Sequence, residues 1–442
     1  MPPSDLQPMT YPALWFTSRT PTVEGQTRCS YARWLGYHAG PHGTGWRRRA
    51  NHVPLATGSA VHEGLELLGQ WLKDADKAPS AEVIAWAATE AASHYEQQAR
   101  HKGLILTMGD VDAASAYEQL IMEQRTLVEG LIWVWALVRL PALLGDYRVI
   151  DIEAEETIVL DCTCGLGEAI CDWQLHATRK CRGIVQMGRA DWLMEQRQTG
   201  EIIYIEFKTK ASANFGWERA WEHSGQLLVN MEAASRRLGK SVSSAVIDVL
   251  YKGRRDKPKT AGPDVPKTQQ SPLCYAIYEP GGLGAGGTWR PRKDREYWSN
   301  TVPLWDETLP MMPVRDGASR VESFVTGNIS SLGSLIQVLG PFPRPQAMVE
   351  QAIKSILATE RRWRVDVEDI RNGQDPELLI ERSYQCTGFD GSPCAYQPIC
   401  FGQPDALAGF EPRVPHHTTE KEAVEASGVR FADDEASDDD AA

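Results

Sequence analysis

Apolar residues recur at two different periods along this chain, and the switches between them divide it. Near residue 60 the period is helical: in GSAVHEGLELLGQWL, Val61, Leu65 and Leu68 return every three to four residues, and Gly58-Ser59 suits a helix start. Residues 113–144 read as one long helix with Trp133 and Trp135 turned to the core. The period then falls to two. VIDIEAEETIVLDC and EAICDWQLHATRK, with Gly165 and Gly167 between them, read as antiparallel strands. GRADWLMEQRQTGEIIYIEFKTK follows, with an apolar segment around Asp191, a turn at Gln198-Thr199-Gly200, and the run 202–205 leading into Glu206-Phe207-Lys208. Helical spacing returns in WERAWEHSGQLLVNMEAASRRLG, whose Leu227, Leu228 and Met231 form a packing face, and SSAVIDVLY reads as a strand after it. A last helix covers 345–365 and ends basic at Arg361, Arg362 and Arg364. The alternation predicts an α/β (α+β) fold, a mixed sheet flanked by helices.

Chemistry concentrates in the hairpin. Successive side chains of a strand point to opposite faces, so Glu206 and Lys208 share one, and pairing across the turn brings Asp191 to it. Two carboxylates suit Mg²⁺ or Mn²⁺. Such an ion acidifies a water and offsets phosphate charge, while an ammonium places the nucleophile. An acid followed by E-x-K at this distance also occurs on ordinary solvated hairpins, so other features must support the reading.

The Asp191 and Glu206-x-Lys208 pattern resembles the PD-(D/E)XK nuclease superfamily. Gly58 and His62 match the G-x-x-x-H helix of its RecB-like members, and Gln226 matches the glutamine of the helix after the core. Asn230 stands where that helix usually carries a tyrosine, and the chain departs from the pattern there. Cys29 in TRCSYARWLGY, with Cys386, Cys394 and Cys400 near the other end, resembles the iron–sulfur group of RecB-like nucleases, which includes AddB-type helicase–nucleases, CRISPR adaptation nucleases and phage exonucleases. The late spacing, x7 then x5, is looser in its first gap than the commoner form.

The resemblance implies a restriction-endonuclease-like core with a helical insertion and a cluster joining the chain ends. Asp191, Glu206, Lys208 and Gln226 are then the catalytic set, and His62, Asp191, Glu206 and the Phe207 carbonyl hold Mg²⁺ or Mn²⁺. Cys29, Cys386, Cys394 and Cys400 carry a [4Fe–4S] cluster. Zinc on the same four thiolates stays open. Cys162, Cys164, Cys171 and Cys181 read as partly buried strand residues, with zinc as the alternative. Glu153, Glu155 and Glu156 are close enough in sequence to approach the metal site, but they read as structural or solvated.

Six stretches follow. Residues 1–57 hold the first cysteine and a basic loop, 58–145 are helical, and 146–252 form the nuclease core. Residues 253–300 are a flexible basic and glycine-rich insertion, 301–402 a helical region with the late cysteines, and 403–442 an acidic disordered tail.

Composition narrows the partners. The formal charge is −13, and residues 420–442 contribute nine acids against two bases, more than half of that excess. The body is therefore mildly acidic, and basic character is local. Arg47, Arg48 and Arg49 follow Trp46; Arg254 and Arg255 follow Tyr251; Arg292 and Lys293 lie between Trp289 and Trp298. Cations interleaved with aromatics suit phosphate contacts and base stacking on a single strand.

Nine cysteines, an odd count, and no signal peptide argue against disulfides and for a reducing cytoplasm, bacterial or phage-infected. The apolar stretch 131–144 is too short to span a bilayer, so no membrane partner is expected. No P-loop motif is present, so any helicase motor would be a separate recombination partner. The expected activity is a metal-dependent DNA exonuclease on single-stranded ends. Three alternatives remain: an RNA-directed nuclease with the same core, a non-catalytic or partner-activated DNA-binding component, and a zinc-binding interaction protein.

Overall fold

The computed structural model describes residues 15–18, 29–49, 51–102, 104–105, 113–162, 183–210, 217–222, 224–252, 275–279, 288–291, 322–324, 336–383, 386 and 394–431. In chain order its strands are β1 (Trp15–Thr17), β2 (Trp46–Arg48), β3 (Asn51–His52), β4 (Leu104–Ile105), β5 (Tyr147–Cys162), β6 (Gly183–Gln196), β7 (Ile202–Lys210), β8 (Val242–Tyr251), β9 (Tyr275–Glu279), β10 (Thr288–Pro291), β11 (Glu322–Phe324), β12 (Ile336–Pro343) and β13 (Phe410–Pro412). Its principal helices are α1 (Ser30–Tyr37), α2 (Val53–Ala75), α3 (Ala81–Lys102), α4 (Ala113–Val138), α5 (Leu140–Asp146), α6 (Trp217–Glu222), α7 (Gly225–Leu238), α8 (Gln346–Arg371), α9 (Gln397–Cys400) and α10 (Thr418–Glu425).

Six strands form a mixed sheet in the order β1-β6-β7-β8-β12, with β5 along the other edge of β6. Strand β5 runs antiparallel to β6 along its length, from Tyr147 opposite Gln196 to Cys162 opposite Gly183. Strands β6 and β7 are the expected hairpin, and β7 then runs parallel to β8 as far as Lys210 opposite Tyr251. The fold is therefore mixed α/β with a mixed sheet flanked by helices.

Alternation decides which helices cover which face. Trp192, Met194, Ile203, Ile205 and Phe207 point toward α2, α3 and α4 and join their core. Leu193, Ile202 and Tyr204 point the other way, against Leu227 and Met231 of α7. The rings of Trp135, Trp192 and Phe207 meet edge to face, with centroids 5.1–5.4 Å apart, a preferred aromatic geometry. Helix α2 comes close because Gly69 has no side chain: a Cβ there would lie 2.6 Å from the Trp192 ring.

Several elements differ from their sequence expectation. The stretch 113–144 divides into α4 and α5, which meet at a 41° bend. Pro141 sits in the first turn of α5, where its missing N–H costs nothing, whereas inside a continuous helix it would remove a hydrogen bond. The stretch 217–239 likewise divides into α6 and α7, with Ser224 as the α7 N-cap and Gly239 closing it at φ 63°. Helix α2 starts at Val53, ahead of Gly58. Helix α8 runs on to Arg371, with Arg361 paired to Asp161 at 2.9 Å and Arg364 to Glu368 at 3.0 Å.

The stretch expected to be a disordered tail from 403 is folded as far as Phe431. Strand β13 pairs antiparallel with β2, Ala423 of α10 packs on Phe16, Val159, Val185 and Met187, and Val424 is buried with Val429 and Phe431. Apolar burial outweighs the acidic composition there. The expected flexible insertion 253–300 contains β9 and β10, which join β11 in a three-stranded sheet. The strand read at 168–180 and the cations Arg254, Arg255, Arg292 and Lys293 lie outside the described residues. No single described helix is long and apolar enough to cross a membrane.

Candidate metal centre

The site forms where β6 and β7 part. Their ladder ends at Trp192 opposite Ile205. One step further, Asp191 and Glu206 stand opposite each other, and β7 continues beside β8 alone. A side chain satisfies the backbone group left at the split: Phe207 N–H donates to Asp191 Oδ2 at 2.6 Å. Opposite residues of an antiparallel pair share a face, so both acids look into the same cleft, which has a volume of about 1120 Å³.

Helix α2 crosses over β7 and delivers the histidine. A Cβ on Gly58 would lie 3.1 Å from Thr209 Oγ1. One turn later His62 Nδ1 lies 3.6 Å from Asp191 Oδ2, with the Phe207 backbone as a hydrogen-bond partner. Burial, then the Lys208 charge, lowers the His62 pKa to about 4, so its ring is neutral at pH 7 and has a lone pair to offer.

A third ligand comes from β5. Atoms of His62, Glu153 and Asp191 all lie within 4.8 Å of one another, the one such group among the described residues. Glu153 was expected to be structural or solvated, and its position corrects that. Ile152 faces Trp192 and Ala154 faces Ala190, leaving Glu153 abreast of Asp191. Its φ is +46°, a left-handed conformation that costs a non-glycine residue about 1–2 kcal/mol. The register itself sets the carboxylate on the face of Asp191, since opposite residues of an antiparallel pair share one.

Glu206 does not belong to that three-residue group. It is buried, with one oxygen against Lys208 Nζ and the other accepting from the Tyr204 hydroxyl. Gln226 Nε2 lies 3.5 Å from Glu206 Oε1, while its own Oε1 is buried with no hydrogen-bond partner among the described residues. Lys208 Nζ also lies 5.5 Å from the centre of the Trp221 ring. Asn230 is buried, donates to the Arg189 carbonyl at 3.4 Å and hydrogen-bonds the Tyr204 hydroxyl. It fills the space that Gly188 leaves open, since a Cβ on Gly188 would lie 2.0 Å from Asn230 Oδ1. Tyr204 therefore brings a phenol to the site from the strand, a role missed when 202–205 was read only as an apolar run.

The electrostatics are those of too many acids in one place. Burial, then the Glu206 charge, holds the Asp191 carboxyl well above the usual range. Burial also raises Glu153, to about 7, although Arg189 opposes the shift. Burial acts in the same direction on Glu206, but the Lys208 charge and the Lys208 and Tyr204 hydrogen bonds outweigh it and keep its pKa low. A divalent cation would relieve the pressure on Asp191 and Glu153, and a set of one imidazole nitrogen and two carboxylates fits such an ion.

No family model matches the chain, and no curated protein matches it significantly.

Cys29 and Cys400 pack against one core, where the two ends of the described chain join. Cys29 precedes α1, Tyr31 N–H donates to Glu381 O at 3.2 Å, and Cys394 N–H donates to Cys386 O at 2.8 Å. Burial raises the Cys400 thiol, and the charges of Cys29, Cys386 and Cys394 all push the same way. Among the described residues no group of these thiols converges as His62, Glu153 and Asp191 do. Cys162 is partly buried against Phe16 and Val159, while Cys164, Cys171 and Cys181 lie outside the described residues.

The expected nucleic-acid contacts at Arg47, Arg48 and Arg49 have other engagements. Arg47 Nε donates to Glu411 at 2.7 Å, Arg48 to the Ala395 carbonyl at 3.0 Å, and Arg49 to the Phe410 carbonyl at 3.0 Å. They tie β2 to the C-terminal segment, and Arg47 also lines the cleft.

Proposed function

We propose that this chain is a metal-dependent DNA nuclease of the PD-(D/E)XK, RecB-like type, acting on single-stranded DNA ends. The observation that carries the reading is the set Asp191, Glu206 and Lys208 on two parting strands, with His62 and Glu153 at hand. His62, Glu153 and Asp191 would hold a divalent cation, which would supply positive charge against the phosphate oxygens and lower the pKa of a water. Lys208 orients the attacking water and offsets charge developing on the phosphate. Glu206 holds the Lys208 ammonium in place, and Tyr204 fixes the second oxygen of Glu206 so that the first stays with the lysine. Gln226 Oε1, which has no partner among the described residues, would accept from that water.

The cleft exceeds the usual span of small-molecule pockets, which suits a polymer. Trp86 is 45 % exposed on a side recess that shares Glu63 and His94 with the cleft, a place for an unpaired base to stack. At the chain ends Cys29, Cys386, Cys394 and Cys400 would carry a [4Fe–4S] cluster, with zinc as the competing occupant. Iron analysis and the visible spectrum of anaerobically purified protein separate the two. A helicase or recombination protein is the partner this reading proposes.

The test is end-labelled linear single-stranded DNA with Mn²⁺, beside a covalently closed circle of the same sequence. Degradation of the linear strand alone supports an exonuclease, and cutting of the circle an endonuclease at the same site. Failure of iron-loaded protein to cut either, with or without a helicase partner, contradicts the proposal.

A further inference from the structure

Beside the metal group the cleft is lined by residues that take no part in holding a cation. Arg189, two residues before Asp191, places Nη1 3.2 Å from Glu153 Oε2 and Nη2 2.5 Å from His416 Nε2. His416 and His417 both line the cleft, with ring centroids 5.5 Å apart. His416 is exposed, and Nδ1 of the half-buried His417 has no hydrogen-bond partner among the described residues. The histidines arrive on the C-terminal segment, which Glu155 fastens to β5: its carboxylate accepts from Thr418 N–H at 2.7 Å and Thr419 N–H at 2.9 Å. These are donors at the start of α10 that have no partner within the helix.

We propose that Arg189, His416 and His417 form a phosphate-binding subsite for the nucleotide flanking the scissile bond of single-stranded DNA, with Glu155 holding the segment in place. This rests on the nuclease reading and extends it. A guanidinium presents a rigid fork of donors matched to phosphate oxygens. In this structure one edge of that fork is turned to Glu153, a member of the metal group. A cation drawing on Glu153 would leave that edge to the DNA, so metal and substrate would bind together. Desolvation within the cleft and the Arg189 charge lower the pKa of both imidazoles, and the His416 charge adds to the effect on His417. The two imidazoles are therefore neutral at pH 7, and Arg189 carries the positive charge of the subsite.

The test is fluorescence anisotropy of a labelled 20-nucleotide single strand in Ca²⁺, with Mn²⁺ cleavage followed on the same preparations. The double variant His416→Ala/His417→Ala should weaken binding about tenfold. Glu155→Ala, which frees the segment without touching the histidines, should weaken it in the same direction. Lys240→Ala, a cation paired with Glu195 on an exposed edge, should leave binding unchanged. Thermal melts confirm that each variant is folded. Wild-type affinity in both the double variant and Glu155→Ala overturns the subsite, and cleavage then persists if the nuclease reading holds. Strong wild-type binding, lost in the double variant but accompanied by no cleavage, keeps the subsite and removes the nuclease reading. Wild-type protein that neither binds nor cuts overturns both.

Discussion

Two regions of this molecule bury carboxylates, and they do so in opposite ways. In the core near the chain ends, Glu360 is fully buried and receives Arg33 Nη2 at 2.6 Å and Trp15 Nε1 at 2.8 Å. Asp248 is buried under β8 in the same manner, with Arg139 Nε and Trp135 Nε1 each at 3.0 Å. Each of these acids has a cation and an indole N–H of its own; burial still raises the Asp248 carboxyl, with Arg139 and the Trp135 hydrogen bond opposing the shift. In the cleft, Glu153, Asp191 and Glu206 share Lys208 and Arg189, and two of the three are pushed toward their protonated forms. A balanced buried pair fixes architecture, whereas acids packed beyond the available cations mark a place where something positive binds.

The largest expected effect falls on chemistry. Lys208→Ala removes the ammonium beside Glu206 and should lower the cleavage rate by about 10³-fold or more, with the melting curve little changed. Near-wild-type turnover would place the chemistry elsewhere. Next comes stability, where the two regions should separate. Glu360→Gln should destabilise the fold by about 3–5 kcal/mol in thermal or urea denaturation, because it breaks a buried pair and leaves Arg33 unanswered. Glu153→Gln should stabilise the metal-free protein at pH 7. Destabilisation of similar size in both would erase the contrast.

The pH dependence sharpens the same point. Glu153 has a folded pKa of about 7, above its ordinary value near 4.5. The folded protein thus holds a proton that the unfolded chain has released. That contribution is whole below pH 4.5 and is lost as pH rises to 7, on the order of 3 kcal/mol at most. Asp191 acts with the same sign. The metal-free protein should therefore lose stability over that window, and a divalent cation should restore it; a flat metal-free profile would contradict the crowding. The smallest effect is expected for Tyr204→Phe, which removes one hydrogen bond to Glu206 and should slow cleavage by about three- to tenfold, with the change in kcat rather than KM.

Much of this site was legible in the sequence because it depends on local rules. The Gln198-Thr199-Gly200 turn and the alternation on both sides place Asp191 opposite Glu206 and Lys208 on the same face. Helical spacing around Val61 and Leu65 places His62 on α2. Glu153 was harder to single out from Glu155 and Glu156, because it meets Asp191 only through the register of β5 on β6, which the sequence of β5 alone does not fix. The folded C-terminal segment was hidden for a different reason. Its partners, Arg47 and Arg48 on β2 and Glu155 on β5, lie more than 250 residues away, and its acidic composition masks Ala423, Val424 and Phe431. The same distance explains why Arg47, Arg48 and Arg49, read as phosphate contacts, instead hold β13 and its neighbours. The break at Pro141 had a visible signal in Arg139 and the proline itself, which interrupt the apolar run through 131–144 although helical spacing carries on across them.

The most direct measurement is Mn²⁺ binding by isothermal titration to metal-free protein, comparing wild type with Asp191→Asn. The account predicts binding at the cleft that releases protons, as Asp191 and Glu153 give theirs up, and an affinity at least about 100-fold lower in the variant. Equal affinity and equal proton release in the two proteins, or no binding by the wild type, would contradict the claim that these acids are gathered to hold a cation.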